Sequence, residues 1–183
     1  MKTTDNYKAI LTFWFERHAL KDWFAKNDAF DQKVSELFSD IHRQACLGEL
    51  WQWRQSSEGC LAEIIVLDQF SRNLFRGKPQ SFAYDGMALT LAQQAVTMRY
   101  HLALDGAKRA FLFMPYMHSE SLVIHHQAVE LFKAPGLESY LDYEYKHLAI
   151  IEKFGRYPHR NAVLGRQSTA EEIDFLKQSG SGF

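Results

Sequence analysis

Asn27-Asp28-Ala29-Phe30-Asp31-Gln32-Lys33-Val34-Ser35-Glu36-Leu37-Phe38-Ser39-Asp40-Ile41-His42-Arg43-Gln44-Ala45-Cys46-Leu47-Gly48 places its apolar residues at Phe30, Val34, Leu37, Phe38, Ile41 and Ala45. They recur every three or four residues, the period of one face of an α-helix, where strict alternation would have marked a strand. The ends agree: Asn27 can accept from the free amides of the first turn, and Gly48 stands where a left-handed stop belongs. The same period returns on both sides of this segment. Ile10, Phe13 and Trp14 predict a short helix from about Tyr7 to Phe15. Ser57 is expected to cap a third helix, with Leu61, Ile64, Ile65 and Asp68 on one side, and Phe82, Met87, Ala88, Leu91, Ala92, Ala95 and Val96 carry a fourth after Pro79. A piece from Gly106 to Met114 should stop near Pro115, because proline cannot continue the hydrogen-bond ladder. Ser119 to Phe132 follows, ended by Pro135-Gly136. Leu141, Leu148, Ile151 and Phe154 stripe the next helix, closed by Gly155, and the last opens on the capping box Thr169-x-x-Glu172. The expected fold is all-α, a compact array of about seven or eight helices packed as antiparallel pairs. Its expected core is Phe13, Phe30, Leu37, Ile41, Ile65, Leu91, Leu148 and Ile151, with Phe13-Trp14-Phe15 and Trp23-Phe24 as packing residues.

At 183 residues the chain suits one domain with a real core. That domain is expected over residues 1–178, with the Ser/Gly-rich stretch 179–183 as a flexible tail. A net charge of −1 argues against a nucleic-acid partner, which calls for a basic excess. Cys46 and Cys60 are the only cysteines and form no CxxC pair, so neither a disulfide framework nor a cysteine zinc site is indicated. The N-terminus lacks the apolar run of a signal peptide, and no stretch has the ~20 apolar residues of a membrane span. The expectation is a cytoplasmic protein without membrane contact.

Three polar-rich breaks interrupt the helices: Leu67-Asp68-Gln69-Phe70-Ser71-Arg72-Asn73-Leu74-Phe75-Arg76-Gly77, Phe113-Met114-Pro115-Tyr116-Met117-His118-Ser119-Glu120, and Phe154-Gly155-Arg156-Tyr157-Pro158-His159-Arg160-Asn161 with Leu164-Gly165-Arg166. Connecting loops do not need that much hydrogen-bonding equipment. Arg72, Arg76, Arg156, Arg160 and Arg166 can grip carboxylate or phosphate oxygens with planar forks. Alternatively Asp68, Glu120, Glu144, Glu152 or Glu171 pairs with them and staples loops to helix ends. Asn73 and Asn161 can serve either arrangement, and Tyr157 can wall a pocket. His118, oriented by Asp68 or Glu120, is a candidate general acid/base, with His159 as the second. Ser119 is expected to cap the following helix, with Glu120 in its first turn. His118, Glu120, His147 and His159 match no compact ligand spacing, so no metal and no cofactor is expected.

Phe13-Trp14-Phe15, Trp23-Phe24 with Phe30-Asp31, the Leu67-to-Asn73 motif, Pro115-x-x-His118-Ser119-Glu120 with Gln127, and the Arg156-to-Glu172 block together carry a resemblance. The chain resembles the bacterial family catalogued as domain of unknown function 924. The resemblance covers nearly the whole chain and implies a tetratricopeptide-like superhelical fold, without implying a reaction. Three functions fit the residues. The first is a site for a small anionic metabolite, lined by Arg72, Arg76, Arg156 and Arg160, with proton transfer by His118 or His159 as its catalytic extension. The second is a helical-repeat module without enzymatic activity, taking a partner peptide such as an acidic C-terminus. In the third, the polar motifs are helix-terminal staples. No nucleophile with a neighbouring base, phosphate loop or cofactor fingerprint stands in the sequence, so it assigns no reaction.

Overall fold

A computed structural model describes residues 6–18, 23 and 26–182; Phe24, Phe183 and residues 1–5 lie outside the described residues. Every regular element among them is helical. Helix α1 (Tyr7–Leu11) runs on into a wide π-helical turn, Thr12–Glu16. Helix α2 (Asp28–Cys46) opens with the Asn27 side chain accepting from the amides of Ala29 and Phe30. A 3-10 turn, Trp51–Gln55, leads to α3 (Ser57–Ile65), which continues through a π-helical turn (Val66–Phe70) into α4 (Ser71–Leu74). After the 3-10 turn Pro79–Phe82 come α5 (Asp85–Thr97), α6 (Gly106–Met117), α7 (Leu122–Phe132) and α8 (Glu138–Phe154). The 3-10 turn Pro158–Arg160 and α9 (Ala170–Leu176) complete the chain.

Helix α3 is the hub. Seven successive residues from Gly59 to Ile65 are buried, and it packs against α1, α5, α6 and the Trp51–Gln55 turn. A helix apolar all round can sit only in a core, and each buried Leu or Ile side chain contributes about 1.5–3 kcal/mol relative to exposure. Of its two acids Glu58 pairs with Lys108 near the surface, while Glu63 is fully buried and receives both prongs of Arg54, at 2.8 and 2.7 Å. Helix α6 packs between α5 and α7, and α8 packs on α7 and α6.

Four details correct the sequence reading. The hydroxyl of Ser56, not Ser57, caps α3 by accepting from the Gly59 amide. Helix α6 passes through Pro115 to Met117; the proline sits in the last turn and forfeits one ladder bond, while His118 N–H still donates to Met114 O at 3.0 Å. Helix α7 starts at Leu122, so Ser119 is not its cap and Glu120 lies outside its first turn. In α2 the buried line is Phe30, Val34, Phe38, His42 and Ala45. That line leaves Leu37 58% exposed and Ile41 only half-buried, as is Leu148 in α8. Phe13, Phe30, Ile65, Leu91 and Ile151 are buried as expected.

Candidate functional site

Asp68 lies inside the π-helical turn Val66–Phe70, where a wider winding re-phases the helix. Its side chain is 1% exposed. Oδ1 accepts from His118 Nδ1 at 2.7 Å and lies 3.0 Å from Arg72 Nη1, while Oδ2 accepts from Gln69 Nε2 at 2.6 Å. Burial would push this carboxyl up; the Arg72 charge and the hydrogen bonds from His118 and Gln69 outweigh it and hold it well below the usual carboxylate range. Burial pushes the His118 imidazole down against the opposing pull of Asp68. Neutral His118 therefore donates from Nδ1, and its Nε2 makes no hydrogen bond to a described residue.

Arg72 also donates a two-pronged bond to Asp85, the first residue of α5, at 2.9 and 3.0 Å. Asp85 Oδ2 lies 3.4 Å from Arg160 Nη1. The Arg160 side chain is 8% exposed. Its guanidinium is held between the rings of Phe82 and Tyr157, with centroids at 4.6 and 4.5 Å, and Nη2 donates to His118 O at 3.0 Å. Its Nε is buried without a hydrogen-bond partner among the described residues. Burial and the neighbouring Arg72 charge both push this guanidinium down; arginine stays charged even so, and its one carboxylate contact is at 3.4 Å.

A clamp holds the backbone around His118. Tyr157 Oη donates to Met117 O at 2.6 Å, Arg160 to His118 O, and His125 Nε2 to Ser119 O at 2.8 Å. Ser119 O can only accept, so His125 carries a proton on Nε2; Nδ1 then faces Glu144 Oε1 at 2.6 Å. Burial pushes the Glu144 carboxyl up, and its Oε2 is buried without a hydrogen-bond partner among the described residues. Around this clamp, burial lowers His147 to about 3, and burial with the Arg160 charge lowers His159 to about 4. The Nδ1 of His159 is likewise buried without a hydrogen-bond partner among the described residues.

Of the residues singled out by sequence, Asp68, Arg72, His118, Tyr157 and Arg160 thus converge, with His159 beside the Tyr157 ring at a centroid distance of 5.6 Å. The others have their polar groups engaged elsewhere. Asn73 and Arg76 both bind Asp31 in α2, the arginine through 2.7 and 2.9 Å bonds. Arg156 and Asn161 bind Glu172, which also accepts from the Thr169 amide in the capping box. Arg166 forks onto Glu120, which in addition accepts from Tyr157 N–H at 2.7 Å. Asp85, Phe82 and Gln69 were missed: an acid in a first turn and a lone phenylalanine carry no signal, and Gln69 stood unnominated inside the quoted motif. The described residues bring no three His, Cys, Asp or Glu side chains into an arrangement that could hold a metal ion. No helix among them is long and apolar enough to cross a membrane. An open groove of about 510 Å3, lined by Val96, Tyr116, Val123, His126, Gln127 and Leu131 among others, involves none of the converging residues.

Residues 10–180 match the model of a family described as bacterial protein of unknown function, DUF924. The chain is also similar to a solved structure, a protein of unknown function, ATU0120, from Agrobacterium tumefaciens. The two are 35% identical with a TM-score of 0.91, over 96% of this chain and 99% of that one. No curated protein matches the chain.

Proposed function

The chain belongs to DUF924, a family of bacterial proteins of unknown function, and within it we propose a small-anion site in which Arg160 and Arg72 hold the ligand and His118, oriented by Asp68, exchanges a proton with it. The observation that carries this reading is the incomplete pairing of Arg160. Arg76, Arg156 and Arg166 each spend a full fork on one carboxylate, as staples do. Arg160 has a carbonyl, a 3.4 Å approach to Asp85 and an orphaned buried Nε. A buried, under-paired guanidinium is costly unless something completes it. His118 adds the chemistry: with Nδ1–H given to Asp68, the Nε2 lone pair is a base whose tautomer is set by its partner.

Thermal denaturation of the wild type, Arg160→Lys and Arg160→Ala, with and without acetate, sulfate or inorganic phosphate, tests this. A binding anion raises the wild-type melting temperature, by about 2.7 kcal/mol of stability at a hundredfold excess over Kd. Arg160→Lys keeps the charge and loses the fork, so the shift shrinks; Arg160→Ala shrinks it further. Equal shifts in all three proteins would remove Arg160 from the site. Ligand-independent destabilisation that no anion restores would make Arg160 a staple.

A further inference from the structure

The anion seat is not bare: the chain's own Asp85 sits in it. Its carboxylate takes both prongs of Arg72, and its Oδ2 lies 3.4 Å from Arg160 Nη1, so one carboxylate bridges the two guanidiniums. The bridge is at the rim, with side-chain exposures of 18% for Asp85 and 20% for Arg72. It is also lopsided, because Arg72 gives it two bonds of 2.9 and 3.0 Å while Arg160 makes one contact of 3.4 Å and keeps its Nε without a partner among the described residues. Asp85 reaches the seat from α5, whose preceding residue, Tyr84, supplies no side-chain cap. An Asp85 that let go would still lie in the first turn of that helix, where the dipole favours a negative charge. The charge count matches one occupant at a time. Arg72 and Arg160 balance Asp68 and Asp85 beside a neutral His118; with Asp85 withdrawn, one net positive charge is left for one carboxylate.

Resting on the anion-site reading above, we propose that the ligand is a carboxylate-bearing small molecule whose carboxylate exchanges with Asp85, which holds the seat as an internal stand-in. Exchange of one carboxylate for another preserves the Arg72 fork and lets the ligand reach Arg160 better than a side chain tethered to α5 can. It also sets the ligand's remaining atoms toward His118.

Calorimetric titration of the full chain with acetate, and with inorganic phosphate as the control, tests the exchange in the wild type, Asp85→Asn and Arg160→Ala. Asp85→Asn empties the seat of charge and should bind acetate about tenfold more tightly than the wild type, and Arg160→Ala should lose acetate. Acetate affinity unchanged in Asp85→Asn, while Arg160→Ala still abolishes binding, would overturn the exchange and leave the anion site standing. Wild-type protein that binds phosphate more tightly than acetate would overturn the carboxylate class. No binding of either anion to any variant would overturn both the exchange and the anion site. Should Asp85→Asn fail to fold, the 13C resonance of the Asp85 side-chain carboxyl in the wild type decides: acetate must move it toward its solvent-exposed position, and a resonance unmoved at saturation overturns the proposal.

Discussion

Asp68 gathers His118, Arg72 and Gln69 onto two oxygens in a place where water hardly reaches. Removing one partner of a buried ionic group leaves the others uncompensated, which costs about 3–5 kcal/mol. Asp68→Asn should therefore lower stability by that amount in urea denaturation; a loss below ~1 kcal/mol, the range of exposed ion pairs, would show that the network is solvated. Asp68, Arg72 and His118 were legible in the sequence because polar residues crowd where a helix should have continued its stripe. Asp85 was not legible, since an acid at the start of a helix needs no special explanation. His42 was illegible for the opposite reason: it lies in the core of α2 with its Nε2 2.8 Å from Ser71 Oγ, and nothing nearby in sequence announces that distant hydroxyl.

Elements were read well where a face repeats and poorly where chain ends compete. The helical period of α2 was visible, yet the drift of its buried line away from Leu37 follows from what it packs on, α4 and the π-helical turn. The run through Pro115 was hidden because a proline in the last turn costs one bond, whereas its burial with Phe111, Leu112, Phe113 and Met114 rewards continuing. Neither π-helical turn has a spacing signature. The joint between α3 and the Trp51–Gln55 turn is close: a Cβ on Gly59 would come within 2.2 Å of Trp53 O, a backbone atom that cannot rotate away. Gly59→Ala should cost about 1–3 kcal/mol through overpacking. A melting temperature equal to the wild type would mean that the turn can shift freely. Gly155 closes α8 at φ 68°, a left-handed conformation that glycine adopts without penalty.

At the scale of the molecule, burial of neutral histidines makes stability depend on pH. His147 and His159 are lowered from 6.5 to about 3 and about 4, so the unfolded chain takes up their protons first. Stability is full above the unfolded value and is lost as pH falls from about 6.5 toward 4, by up to about 1.4 kcal/mol per unit for each group. His147→Gln, whose amide can still donate to Tyr143 O, should remove about one proton's worth of slope between pH 6 and 4.5 in urea denaturation. An unchanged slope would contradict the burial argument. The all-helical class and the convergence of the three polar breaks were both visible in the sequence, but the distances that separate a staple from a seat were not, because they depend on which carboxylate each arginine meets. The clamp on Met117, Ser119 and His118 has one more consequence. Two of its three donors, Tyr157 and Arg160, arrive from a loop some forty residues further along the chain. A growing chain therefore carries Asp68 and His118 before the loop that clamps the His118 backbone has been made, and the arrangement around them is complete only when that late loop docks.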